Sequence, residues 1–145
     1  MSYYDVLVQS GQVAPAVAPL QTQVTALTAE MDRAIYSAAT TVGTGSQTLV
    51  AANIQSGLIV STPAAPATFT TPTAALLVAG GKPDLVGQGF QFSIVNLSSN
   101  AITLAAGTGV TLVGAVVVAA NTSGTFYGTY NVVTLSSEAV TIYRM

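Results

Sequence analysis

Histidine, cysteine and tryptophan are absent from this chain of 145 residues, and charge is scarce: three basic and five acidic side chains, 6% of the total. Each absence removes chemistry. Without imidazole there is no general base poised near neutral pH, and the commonest metal ligand is missing. Without thiols there is no thiolate nucleophile, no redox couple and no disulfide scaffold. The acids are Asp5, Glu30, Asp32, Asp84 and Glu138, and the bases are Arg33, Lys82 and Arg144. Apart from the cluster at Glu30–Arg33 they are scattered, so neither a metal site nor any cofactor is expected.

An average soluble protein is ~25% charged, and single domains keep apart by surfaces of which ~25–35% is charged. A chain at 6% charge and 50% hydrophobic residues is therefore expected to bury much of its surface in an oligomer or a larger assembly. The net charge of −2 and the lack of any Lys/Arg patch argue against nucleic acid as a partner. The longest apolar stretch, Val110 to Ala120, contains Thr111 and Gly114. It falls short of the ~20 residues a membrane span needs, so membrane insertion is not expected. The first residues carry Asp5, Gln9, Ser10 and Gln12 where a secretory signal would be basic and then apolar.

What is present is Ala, Val, Thr, Leu, Gly and Ser, arranged in three regions. Residues 1–18 form an arm whose Tyr3, Tyr4, Val6, Leu7 and Val8 accompany a single charge. These five residues are candidates for contact with a partner surface. Residues 19–39 read as an amphipathic helix: Val17, Leu20, Val24, Leu27 and Met31 are spaced by 3, 4, 3 and 4, a heptad seam. Leu20, Val24, Leu27 and Met31 are expected to form one buried face, against sister helices or against the chain's own sheet. From residue 40 to 145 the pattern has period two, as in Phe90, Phe92 and Ile94 alternating with Gln91 and Ser93.

Strands are expected at 47–52, 57–61, 66–70, 89–96, 101–105, 109–113, 115–119, 124–130, 132–135 and 138–143, with turn residues between them. A short helix is expected over 72–79, ended by Gly80-Gly81. The fold class is mainly β: a small antiparallel β-sandwich or barrel, jelly-roll-like, preceded by the arm and one helix.

Motifs that could carry catalysis each miss a requirement. Gly81-Lys82 has Leu76 where a phosphate loop places its first glycine and Pro83 where it places Ser or Thr. Gly87-Gln88-Gly89 and Gly107-Thr108-Gly109 lack the third glycine and a following helix, and read as turns. A serine nucleophile has no histidine and only Lys82 as a base. Asn96-Leu97-Ser98 and Asn121-Thr122-Ser123 match the glycosylation sequon, yet both fall in turns that favour Asn for backbone reasons. The six tyrosines suit core or interface packing. Tyr127 is expected on one face with Thr125 and Thr129, opposite Phe126, Gly128 and Tyr130.

The stretches TFTTPTAALLVAG (68–80), GQGFQFSIVNLSSNAITLAAGTGVTLVG (87–114) and SSEAVTIYRM (136–145) resemble a module of tailed-bacteriophage virion proteins. That resemblance implies a β-rich decoration, head-fibre or tail-fibre domain that assembles as a homotrimer. A chain this short, with its own arm and helix, is more similar to a capsid cement protein than to a tail fibre. The implied role is structural and not enzymatic: binding the capsid exterior and bridging neighbouring major capsid subunits, made in the host cytoplasm and located on the virion. The alternative it implies is an adhesin of the tail or head fibre that binds a host surface glycan.

Overall fold

The computed structural model describes residue 20, residues 22–27 and residues 39–145. The chain divides into two compact units, Met1–Ser37 and Ala38–Met145. In the first, residues 20 and 22–27 are helical, as the heptad spacing predicts. Met31 and the arm residues Tyr3, Tyr4, Val6, Leu7 and Val8 lie outside the described residues.

The second unit is mainly β, with ten strands in two sheets around one core. The strands are β1 (Thr40–Thr41), β2 (Gln47–Thr48), β3 (Leu58–Ser61), β4 (Ala67–Thr70), β5 (Gly89–Asn96), β6 (Ile102–Ala105), β7 (Val110–Val113), β8 (Val117–Val118), β9 (Ser123–Val132) and β10 (Ala139–Arg144). The helices are α1 (Ala51–Gln55) and α2 (Ala74–Gly81). Sheet order is β1-β3-β5-β9-β10-β7 in the larger sheet and β2-β4-β6-β8 in the smaller.

The sandwich expected from the sequence is present, but its pairing is mixed and not purely antiparallel. Five of the eight pairings are parallel and three antiparallel. The chain makes three passes, each running from the larger sheet to the smaller: β1 to β2, β3 to β4, β5 to β6. Successive passes lie side by side, so β1-β3-β5 and β2-β4-β6 are parallel ladders. Helices α1 and α2 carry the first two returns, because parallel strands need a crossover and cannot be joined by a hairpin. The last part of the chain adds β8 and β9 antiparallel to β6 and β5. Short alternating strands read alike whether the turn leads back along one sheet or across to the other, which is why a jelly-roll-like wrapping was the natural expectation.

Two local corrections follow from specific contacts. Residues 47–52, expected as one strand, stop at Thr48, and α1 begins at Ala51. Asn53 closes the turn: its Oδ1 accepts the Val50 N–H at 2.9 Å, and its own N–H donates to the Val50 carbonyl at 3.0 Å. The short helix expected over 72–79 forms, but it runs through both glycines to Gly81, and Lys82 takes the left-handed conformation (φ 45°) that ends it. Thr73 caps its start, accepting the Leu76 N–H at 3.3 Å. Gly80 and Gly81 serve close packing, since a Cβ on Gly80 would meet the Gln55 amide and one on Gly81 the Tyr130 hydroxyl. The strand expected at 132–135 is absent; β9 is one ten-residue strand ending at Val132.

The core is filled from both sheets and both helices. Ile59, Phe92, Ile94, Phe126, Val140 and Ile142 face Ala67, Phe69, Ile102, Leu104 and Val118, with Ile54 and Leu77 from the helices. Each large side chain buried this way contributes roughly 1.5–3 kcal/mol. The Phe92 and Phe126 rings stack at 5.2 Å across β5 and β9.

Polar residues enter the interior only where the backbone turns a corner. Ser61, Thr71 and Asn96 are the buried polar residues among those described. At the corner from the larger sheet to the smaller, the three passes are tied in a ladder. Ser61 Oγ donates to the Gly43 carbonyl at 3.2 Å, Leu97 N–H to the Ser61 carbonyl at 3.0 Å, and Asn100 Nδ2 to the Pro63 carbonyl at 3.1 Å. At the opposite corner Thr71 Oγ1 accepts the Gly107 N–H at 2.8 Å. Gly107 is required there, because a Cβ would sit 2.6 Å from the Pro72 carbonyl oxygen.

Candidate functional site

The motifs weighed as catalytic are turns and ends. Gly81-Lys82 closes the C-terminus of α2, whereas phosphate is held at a helix N-terminus, where the N–H groups are free. Gly87 (φ 90°) and Gly109 (φ 76°) are turn glycines leading into β5 and β7. Asn121 sits at φ 53° in a turn, as expected, whereas Asn96 is the last residue of β5, fully buried with its side-chain amide engaged in hydrogen bonds. Among the described residues, no three of His, Cys, Asp or Glu come together as a metal site would require. No helix among them is long and apolar enough to cross a membrane.

Two surface features remain. The first is the outer face of the larger sheet. Strand register places its outward side chains in four rows. Thr41, Val60, Val95 and Ser123 form one, and Leu58, Ser93 and Thr125 the next. Gln91, Tyr127, Tyr143 and Val113 form the third, and Gly89, Thr129, Thr141 and Thr111 the fourth. None is charged. Tyr127 falls on the face of Thr125 and Thr129, as the alternation predicts, and stands directly opposite Tyr143 on β10. The two residues are 37% and 39% exposed, a pair of amphipathic anchors on an uncharged sheet face.

The second feature is a cleft of about 380 Å³ where α1 and α2 end beside the start of β5. Its walls are Ile54 and Gln55 of α1, Gly81, Lys82 and Pro83 at the end of α2, Gln88 in the turn, Gly89, Phe90 and Gln91 of β5, and Tyr130 of β9. Burial pushes the Tyr130 phenol above its ordinary pKa, and its O–H donates a long bond, 3.4 Å, to the Leu77 carbonyl. Gln88 Oε1 accepts the N–H groups of Asp84 at 2.6 Å and Leu85 at 3.2 Å, which leaves its NH2 to donate elsewhere. Lys82 is the one charged residue in the lining. This arrangement can hold a polar molecule, but it contains no carboxylate to act as acid or base.

The helix residues proposed from the heptad pattern are exposed on the single chain: Leu20 58%, Val24 62% and Leu27 60%. Sequence reasoning missed the cleft because its residues come from four separate segments with no shared motif. The uncharged sheet face was foreshadowed by the Thr/Tyr alternation of residues 125–129 and by the scarcity of charge.

No family model matches the chain, and neither a curated protein nor a solved structure matches it.

Proposed function

We propose that this chain is a virion structural protein that works as a homotrimeric cement on the outside of a tailed-phage capsid. The observation that carries this reading is the uncharged outer face of the six-stranded sheet with its tyrosine pair. Each row crosses up to four strands ~4.8 Å apart, and four rows ~7 Å apart give a face of roughly 14 by 20 Å. That is about a third of the ~800 Å² per partner that a stable interface covers, and the arm would supply the rest.

In this reading the sheet face lies against neighbouring major capsid subunits, with Tyr127 and Tyr143 as anchors and the arm residues Tyr3, Tyr4, Val6, Leu7 and Val8 extending the contact. The seam of Leu20, Val24, Leu27 and Met31 joins three copies. Three linked copies raise the effective concentration of each second contact, so modest individual contacts suffice. Binding only the assembled shell stabilises it by mass action, and no chemical step is involved.

The test is thermal. Capsids made without the protein should burst at lower temperature, and adding the purified chain should restore them. The double variant Tyr127→Asp/Tyr143→Asp should keep its fold by circular dichroism yet fail to restore stability, since two charges placed on the face must be desolvated. Equal burst temperatures with and without the protein would overturn the cement role.

A further inference from the structure

We propose that the cleft between the ends of α1 and α2 and the start of β5 is a binding site for a neutral sugar unit. The claim does not rest on the cement reading: the cleft shares only Gly89 and Gln91 with the edge of the outer sheet face, and it can be tested on the free protein.

The volume, about 380 Å³, lies at the small end of natural ligand sites, which run ~300–1,000 Å³. Its lining combines two kinds of group that a pyranose can use. Gln55 and Gln88 supply carboxamides and Lys82 an ammonium, while Phe90 and Pro83 supply apolar surface. A sugar ring presents hydroxyls that both donate and accept together with a C–H face that packs on apolar carbon. A carboxamide likewise offers a donor and an acceptor side by side. Gln88 is pre-set as a donor, because its oxygen is held by the N–H groups of Asp84 and Leu85. Tyr130 is buried beneath these groups, where its hydroxyl donates to the Leu77 carbonyl at 3.4 Å.

The charge balance selects a neutral ligand. Lys82 stands alone as a cation, but it sits at the C-terminus of α2, where the helix presents its unpaired carbonyls and about half a negative charge. Those carbonyls offset the ammonium and offer further acceptors to hydroxyl donors. An anionic sugar would meet the same carbonyls as repulsion. The cleft also has one side free of a neighbouring strand. The register of β3 against β5 covers Ser93–Asn96 only, so Gly89–Phe92 face α1 without a strand between them.

Saturation-transfer NMR on the full chain tests the proposal with maltotriose, cellotriose and chitotriose as neutral probes and trigalacturonate as the charged comparison. At least one neutral trisaccharide should bind saturably, and the amide shifts it causes should centre on Gly81–Lys82 and Gln88–Gln91. Gln55→Ala, at an exposed helix position, should weaken that binding roughly three- to tenfold, the worth of one hydrogen-bonding group, with an unchanged melting curve. Three results overturn the proposal: no saturable binding by any neutral probe, stronger binding of trigalacturonate, or shifts centred away from the cleft.

Discussion

Replacing Asn96 should unfold the corner at which the third pass crosses from one sheet to the other. Asn96 is 0% exposed, and its Nδ2 is within bonding distance of three carbonyl oxygens: Asn100 at 2.7 Å, Ala119 at 3.0 Å and Val118 at 3.3 Å. Its Oδ1 accepts from the N–H and the hydroxyl of Ser98 at 3.1 and 2.9 Å. One side chain thus binds the β5–β6 turn to the segment joining β8 and β9. Asn96→Ala removes the four bonds this side chain can make at once, two donated by Nδ2 and two accepted by Oδ1, worth about 0.5–1.5 kcal/mol each. The sum is about 2–6 kcal/mol. Near 60 °C the unfolding entropy is ~2.1 cal/mol/K per residue, so for a unit of about 108 residues (38 to 145) the melting temperature should fall by roughly 9–26 °C. Calorimetry measures this directly, with Ser98→Ala as a milder comparison that removes the hydroxyl but spares Nδ2. A fall below ~3 °C for Asn96→Ala would refute the reasoning, since it would mean that water replaces the amide without cost.

Three further outcomes are expected. Gly128→Ala should destabilise the β-unit by roughly 1–3 kcal/mol, because its Cβ would meet the Phe90 ring at 2.6 Å or less. In the double variant with Phe90→Ala the two losses should be less than additive, as a double-mutant cycle read by urea unfolding would show. Stability should fall as pH rises above about 10, where the Tyr130 phenol ionises in the unfolded chain while the folded chain still holds its proton. Urea midpoints between pH 8 and 11 should fall less steeply for Tyr130→Phe, and identical slopes would contradict the burial of that hydroxyl. Light scattering of the purified chain at micromolar concentration should give three times the 14.6 kDa chain mass, and Leu27→Ala should shift it toward the monomer.

Much of the strand pattern was legible in the sequence because alternation maps directly onto burial. Phe92 and Ile94 point inward and Gln91 and Ser93 outward, as their order along β5 requires. Partner choice was not legible. β1, β3 and β5 begin at residues 40, 58 and 89, an irregular spacing that conceals three equivalent passes, and β1 and β2 are only two residues each. Helix α1 was hidden because Val50 and the alanines after it continue an apolar run, and only the Asn53 side chain turns it. The cleft was invisible for a related reason: Gln55, Gln88 and Tyr130 are ordinary residues until the fold brings them together. The uncharged sheet face, in contrast, follows from composition, since five acids and three bases leave most outward strand positions neutral.

The three passes also narrow toward one end. In the larger sheet β1, β3 and β5 have two, four and eight residues, and in the smaller β2, β4 and β6 have two, four and four. Stacked parallel passes are inherently open-ended: a fresh edge can template another layer, as in a fibril. Here the leading edge in each sheet is a two-residue strand, while β8 and β9 close the far side of the third pass with antiparallel pairing. So short an edge offers an incoming strand too few backbone bonds to recruit it. The taper acts as a stop codon written in geometry, leaving the first edge of each sheet too short to template a further layer.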